Sequence, residues 1–327
     1  MNIIESAGLG KRYRRTWALR DCTLGIPGGH VVAVVGPNGA GKTTMLQMAV
    51  GLITPTAGGI TVLGGEPAGS PDALDRIAFV AQDAPLYKNL PAGDMLRVAR
   101  SLNRRWDQPY AEARLGDLDI PLTRKVGKLS GGQKAQLALT IGLARRPDLL
   151  VLDEPLAMLD PLARHDFMAS VMAAVAEEGV SVVLSSHVLA ELERVADYLI
   201  VLSRGRVQMA GDVDDLLAGH RVLTGPAAET DEQARRMRVV QCRRAGAQSH
   251  LLVRITTPAD PVPPGWEANR VGLEELVLAY LRQPGASALP GPAALRAHPA
   301  TVWADPAAAA AGHETAGHGI GMQAWPR

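Results

Sequence analysis

The octapeptide Gly36-Pro37-Asn38-Gly39-Ala40-Gly41-Lys42-Thr43 has the residue types and spacing to hold phosphate. Its glycines let the backbone fold back so that successive N–H groups converge on an anion. A helix opening near Lys42 would add the partial positive charge of its N-terminus. In such a loop Lys42 reaches the β- and γ-phosphates of a nucleoside triphosphate, the Thr43 hydroxyl ligates Mg²⁺, and Thr44 joins the nucleotide contacts. A chance glycine-rich turn would share this composition. It would not be expected between an apolar run, Val31–Val35, and a helical pattern from Lys42 to about Val50. Alone, the loop does not separate a kinase from a GTPase or a motor.

A second group of reactive residues follows another apolar run. Leu149–Leu152 reads as a buried strand that ends in Asp153 and Glu154. Asp153 is placed to hold Mg²⁺, and Glu154 to orient or deprotonate an attacking water. A positioned base contributes about 10²- to 10⁴-fold in rate. Lys42, the metal and backbone dipoles would stabilise charge on the transferred phosphoryl. Two acids before Pro155 could instead cap the next helix. That reading leaves the fully apolar strand before them unexplained in a chain that already has a phosphate loop.

The elements that position these residues alternate. Short apolar runs and helical stretches fill roughly the first 219 residues, which predicts an α/β domain with a largely parallel sheet. Further strands are expected at 180–185, 198–202 and 206–209, and a helix at Pro161–Glu178. From about 89 to 146 strand signals give way to helical ones, at Ala92–Leu102 and 134–143, which predicts an inserted helical subdomain. Residues 220–283 change character again. A strand is expected at 251–255, and a helix at 273–281 with Leu273, Leu276, Val277 and Tyr280 on one face, together making a small C-terminal accessory subdomain. Residues 284–327 accumulate Pro, Ala, Gly and His without periodicity and are expected to be disordered. His298, His313 and His318 are too widely spread there for a metal site.

Composition narrows the class. Aromatic residues make up 4% against 47% hydrophobic, so the core must be aliphatic. The net charge of +1 gives no reason to expect nucleic acid as a partner, and the basic group Lys11, Arg12, Arg14 and Arg15 reads as a solvated turn between strands. The two cysteines, Cys22 and Cys242, make neither a disulfide framework nor a metal spacing, which fits a reducing cytoplasm. No signal-peptide pattern is seen, and no stretch of 18 apolar residues exists to span a bilayer. If the chain serves transport, another chain must form the pore.

Leu129-Ser130-Gly131-Gly132-Gln133 matches the signature motif of ABC-type ATPases, and with the phosphate loop and the Asp153-Glu154 strand it gives residues 1–219 a resemblance to that family with every expected motif in order. The resemblance implies a P-loop NTPase core with a mainly parallel sheet, an antiparallel β subdomain, an inserted helical subdomain and a small C-terminal α+β extension. It implies that Gln82 is the Q-loop glutamine, near the metal and the γ-phosphate, and that Asp160, in Leu159-Asp160-Pro161, is the D-loop acid. It makes His187 the switch histidine that helps fix the attacking water, and Tyr13 the aromatic that stacks on adenine. Ser130 and the following glycines would open a helix and offer a hydroxyl and free N–H groups to an anion. In the family this patch faces the γ-phosphate held by a second protomer, so ATP is sandwiched between two copies and its hydrolysis lets the pair open.

The sequence departs from the family pattern at Leu156, at Ala157-Met158 and at Lys134-Ala135-Gln136. None of these removes a catalytic group. Residues 86–105 resemble the segment that receives a permease's coupling helix, and Val271-Gly272-Leu273-Glu274-Glu275-Leu276 resembles the ending of ATPases of ABC-2-type exporters. The expectation is therefore an ATP-hydrolysing subunit at the cytoplasmic face of the membrane, paired with a second copy and driving export through a separate permease. An importer ATPase is the alternative within transport. A non-transport ABC ATPase is the alternative outside it, but translation factors of that kind carry two such domains. Chromosome-type members carry long coiled coils between the phosphate loop and the metal-binding strand; here the interval from Lys42 to Asp153 is too short and lacks heptads.

Overall fold

The computed structural model describes residues 1–83, 85–257, 260–283 and 285–286. The expected disorder of 284–327 and the three tail histidines thus fall almost wholly outside the described residues. The chain opens with a long antiparallel pair, β1 (Asn2–Tyr13) and β2 (Thr16–Pro27), joined by the Arg14-Arg15 turn. Next come β3 (Val31–Val35), α1 (Lys42–Ala49), β4 (Ala57–Val62), α2 (Pro71–Arg76) and β5 (Ile77–Val80). Three helices follow, α3 (Ala92–Leu102), α4 (Gln108–Asp117) and α5 (Gly131–Leu143). The central fold is completed by β6 (Leu149–Leu152), α6 (Pro161–Glu178), β7 (Ser181–Ser186), α7 (Leu189–Leu192), β8 (Tyr198–Ser203) and β9 (Arg206–Asp212).

Six strands form one sheet in the order β5-β6-β7-β3-β8-β9. All neighbours are parallel except β9, which pairs antiparallel with β8. Parallel sheets are covered on both faces, so their strands read as unbroken apolar runs. Each residue of β3 and of β6 is buried accordingly. A separate antiparallel sheet, β2-β1-β4, lies beside it, with Leu9, Leu19, Ile26 and Ile60 in one apolar cluster with Val32 and Val34 of β3.

The helices α3, α4 and α5 share their own apolar cluster around Leu96, Leu115 and Leu137. Each of these side chains is nearly or fully buried. Truncating one to Ala would cost about 2–5 kcal/mol, depending on how far the site collapses.

Beyond β9 lie α8 (Val213–Ala218), β10 (His220–Pro226), α9 (Thr230–Arg236), β11 (Arg238–Ala245), β12 (Gln248–Arg254), β13 (Glu267–Asn269) and α10 (Leu273–Arg282). The four strands form an antiparallel sheet in the order β11-β12-β10-β13. Only β12 and α10 are legible in the sequence. The helix α10 buries Leu273, Leu276, Val277 and Tyr280 in the same cluster as Leu199 and Val201 of β8, which ties this last segment to the central sheet.

Candidate functional site

The phosphate loop is shaped by two glycines that no other residue could replace. At Gly36 (φ +154°) a Cβ would lie 2.2 Å from the Leu202 carbonyl oxygen, and at Gly41 (φ +104°) one would lie 2.6 Å from the Ala18 carbonyl oxygen. The loop is therefore pressed against the ends of β8 and β2. At Gly39 (φ +78°) a Cβ would meet nothing within 4 Å, because that side opens on a cavity. The cavity is about 490 Å³ and is lined by loop residues 38–44 together with Ala18, Gln82, Glu154 and His187. Asn38, Gly39, Ala40, Gly41, Lys42, Thr43, Thr44, Gln82, Glu154 and His187 are thus brought together. Ala18 is a lining residue that sequence reasoning missed.

Four side chains converge on the two acids. Lys42 Nζ lies 3.0 Å from Glu154 Oε1 and donates to the Gly36 carbonyl oxygen at 2.9 Å. His187 Nδ1 lies 2.7 Å from the other Glu154 oxygen, Oε2. The Thr43 hydroxyl donates to Asp153 Oδ1 at 3.2 Å. The Ser185 hydroxyl, fully buried, donates to the same Asp153 oxygen at 2.7 Å and accepts the Glu154 backbone N–H at 2.8 Å. Ser185 was not picked out from the sequence. The available signal was a pair of serines ending an otherwise Val/Leu strand. Glu154 itself sits at φ +48°, an uncommon conformation for a side-chain-bearing residue, reached in the turn that breaks β6 and aims its carboxylate at the cavity.

The donor set suits a nucleoside triphosphate with Mg²⁺. One buried ammonium and the N–H groups opening α1 face the cavity, and a hydroxyl stands beside a carboxylate. Among the described residues no group of three or more His, Cys, Asp or Glu could hold a metal unaided. An ion here would therefore take most of its oxygen ligands from phosphate and water, the usual habit of Mg²⁺.

The remaining predicted residues lie elsewhere. Gly36 and Pro37 shape the loop without lining the cavity. Tyr13, 47% exposed, ends β1 with the Lys11 ammonium 5.5 Å from its ring centroid, and does not line the cavity either. Ser130 caps α5 by accepting the Gln133 N–H at 3.1 Å, while the Gln133 side chain accepts the Ser130 N–H at 3.2 Å. Gln133 is thereby committed to the cap, and Ser130 and Gly131 are exposed and do not line the loop cavity. Gly132 packs closely on Ala163, at the start of α6, and Asp160 caps that helix by accepting the Ala163 N–H at 2.9 Å. Met158 (84% exposed) and Leu162 (71% exposed) flank Asp160, so two large apolar side chains face outward near the start of α5.

The chain is similar to known proteins in both sequence and fold. Residues 19–157 match the family described as ABC transporter. The lantibiotic transport ATP-binding protein SrtF of Streptococcus pyogenes is 32% identical over 216 residues, which is 65% of this chain and 92% of SrtF. The thiamine import ATP-binding protein ThiQ of Shigella flexneri is 31% identical over 202 residues, 60% of this chain and 87% of ThiQ. Among solved structures, an ATP-binding subunit of an ABC transporter aligns with a TM-score of 0.59 at 30% identity, covering 65% of this chain and 91% of that one. The dimeric bacterial ABC transporter cassette MJ0796 aligns with a TM-score of 0.59 at 25% identity, covering 64% of this chain and 98% of that one.

Proposed function

The chain belongs to the ATP-binding proteins of ABC transporters, and we propose that two copies of it clamp ATP at their shared surface and drive export through a separate membrane permease. As a member of that family it is an ATP-binding, ATP-hydrolysing subunit. The roles of individual residues, the pairing of copies, the permease and the direction of transport are the proposed part. So is the division into a nucleotide-binding domain (1–219, with a helical subdomain at about 89–146) and an accessory subdomain (220–283). Among the described residues no helix is long and apolar enough to cross a membrane. In this proposal a separate permease forms the pore and this chain sits at the cytoplasmic face.

The observation that carries this reading is the Glu154 carboxylate, bridged between Lys42 and His187 at the mouth of the phosphate loop. When ATP enters, its phosphates compete for Lys42, a far stronger attraction at close range inside a cavity than in bulk water. Lys42 turns from Glu154 to the phosphates, and the freed carboxylate is left to orient and deprotonate a water. His187 keeps hold of Glu154 from the other side and stabilises charge on the outer phosphate. Thr43 and Asp153 would hold Mg²⁺, which when bound neutralises charge on the phosphate oxygens. Gln82 would border the same space, and Tyr13 would stack on the base. Ser130, Gly131 and Gly132 of one copy, with Asp160 beside them, would close over the γ-phosphate held by the other. The exposed Met158 and Leu162 support this by supplying apolar surface for the seam.

Export is favoured by the likeness to SrtF, whose name specifies lantibiotic transport, and by the ending around Leu273. Import is the second reading, favoured by the likeness to ThiQ. Two assays test the proposal. Steady-state ATP hydrolysis should fall about 10²- to 10⁴-fold in Glu154→Gln; turnover at the wild-type rate would remove Glu154 from the mechanism. Vesicles reconstituted with the permease should move substrate away from the ATP-bearing side, and movement toward it would favour import.

A further inference from the structure

A second cavity lies in the C-terminal sheet. The order β10-α9-β11-β12-β13, with strands arranged β11-β12-β10-β13 and all antiparallel, is that of a βαββαβ sheet whose second helix is lacking. Where that helix would run, the described residues between β12 and β13 form no helix, and Pro261, Pro263 and Pro264 make one unfavourable. One face of the sheet is used up, since Val222, Val240 and Leu252 join the cluster that contains α10 and β8. The opposite face carries Leu223, Leu251 and Val253. Trp266 covers one end of that face, lying so close over Gly225 that a Cβ there would fall 2.2 Å from its ring.

The other end of the face is open. It holds a cavity of about 510 Å³, with Leu223, Met237 and Val253 among its apolar lining. Arg221, Arg236, Arg238 and Arg254 also line it, with Asp260 the one acid among the described lining residues. That acid is already engaged: its carboxylate accepts the Thr256 N–H at 2.7 Å, the Thr257 N–H at 3.2 Å and the Thr257 hydroxyl at 2.8 Å. These bonds hold its carboxyl below the usual aspartate range. Arg221 donates to the Asp260 carbonyl oxygen at 3.2 Å, which fixes its guanidinium in the wall, and Arg236 pairs with Glu232, one turn back on α9, at 2.8 Å.

We propose that this cavity binds a small amphipathic organic anion, its charged group among the arginines and its apolar body on Leu223, Met237 and Val253. A volume of about 300–1,000 Å³ is typical of small-molecule sites, and guanidinium forks match carboxylate, phosphate and sulfonate oxygens. Inorganic phosphate would use the arginines and leave the apolar lining wet. A neutral apolar molecule would use the lining and make no use of the guanidinium charge. Nothing in this inference depends on the phosphate-loop site, from which the cavity is separate.

The probe is 8-anilinonaphthalene-1-sulfonate, followed by fluorescence with the full chain and saturating ATP and Mg²⁺, so that the nucleotide site is filled. One saturable site per chain is expected. Arg238→Ala and Arg236→Ala each remove an exposed side chain and should leave the far-UV circular dichroism and the ATPase rate unchanged. Together they should weaken the probe about 10-fold or more, as expected for lost charge-assisted hydrogen bonds. The uncharged N-phenyl-1-naphthylamine should bind about 10-fold or more weaker than the sulfonate, and phosphate at matched ionic strength should not displace it. Unchanged sulfonate binding in the folded double variant, equal binding of the uncharged analogue, or displacement by phosphate would each overturn the proposal.

Discussion

Ser185 holds both acids of the site at once, through its hydroxyl to Asp153 and from the Glu154 N–H. In Ser185→Ala the buried Glu154 N–H loses its partner, which costs about 1–3 kcal/mol for an unsatisfied group, and Asp153 Oδ1 keeps only the Thr43 hydroxyl. The variant should show a lower denaturant midpoint and a reduced hydrolysis rate with ATP binding largely kept. A rate and midpoint equal to wild type would show that Thr43 and the backbone suffice to place the acids. Lys42 and Thr43 are legible from sequence because they follow β3 in one strand–loop–helix unit, and Glu154 because it stands just past the apolar run of β6. Ser185 and Ala18 reach the same site from β7 and β2, and nothing in their local sequence states that approach.

At the scale of elements, legibility follows pattern strength. The strands β3 and β6 are continuous apolar runs, and β7 is buried along its whole length around Val182, Val183 and Leu184, because both faces of the sheet are covered; sequence reading finds all three within a residue or two. The pair β1–β2 is harder to see because its register shifts repeatedly, at Ser6/Leu9, Leu9/Lys11 and Lys11/Arg12, and each shift breaks the two-residue alternation. In the C-terminal sheet, β11 carries Arg238, Arg243 and Arg244 on a largely exposed strand, so its apolar signal is faint. The packing of α10 introduces a polar pair that no periodicity reveals. His220 Nδ1 donates to the Leu216 carbonyl at 2.6 Å, and its Nε2 lies 2.7 Å from the Tyr280 hydroxyl. Burial holds the His220 imidazole below its ordinary value of 6.5, and pushes the Tyr280 hydroxyl up to about 12. For His220 the unfolded chain takes up its proton near pH 6.5 while the folded chain resists, so the unfolded state binds more protons and stability falls as pH drops from about 7 toward the depressed value. For Tyr280 the folded state keeps its proton longer, so stability is lost above about pH 10. Urea midpoints at pH 7.5 and 5.5 should therefore differ less in His220→Gln than in wild type, and an equal difference would show that His220 does not carry this dependence.

Across the whole molecule, the sheet that follows β9 is joined to the ATPase core by α10. Leu273, Leu276, Val277 and Tyr280 are each buried, and a fully buried side chain of this size contributes about 1.5–3 kcal/mol. Set against a typical stability of about 5–15 kcal/mol, ending the chain at Gly272 should abolish cooperative thermal unfolding, whereas ending it at Ala286 should leave the melting temperature near that of the full chain. Similar melting of both truncated forms would mean that α10 is not a structural clasp. The central claim concerns two copies, with ATP held between the phosphate cavity of one and the exposed Ser130 cap, flanked by Met158 and Leu162, of the other. It is tested most directly by sizing Glu154→Gln by light scattering with ATP and Mg²⁺. The mass should double when ATP is added and revert when it is removed. A single-chain mass at saturating, demonstrably bound ATP would contradict the account.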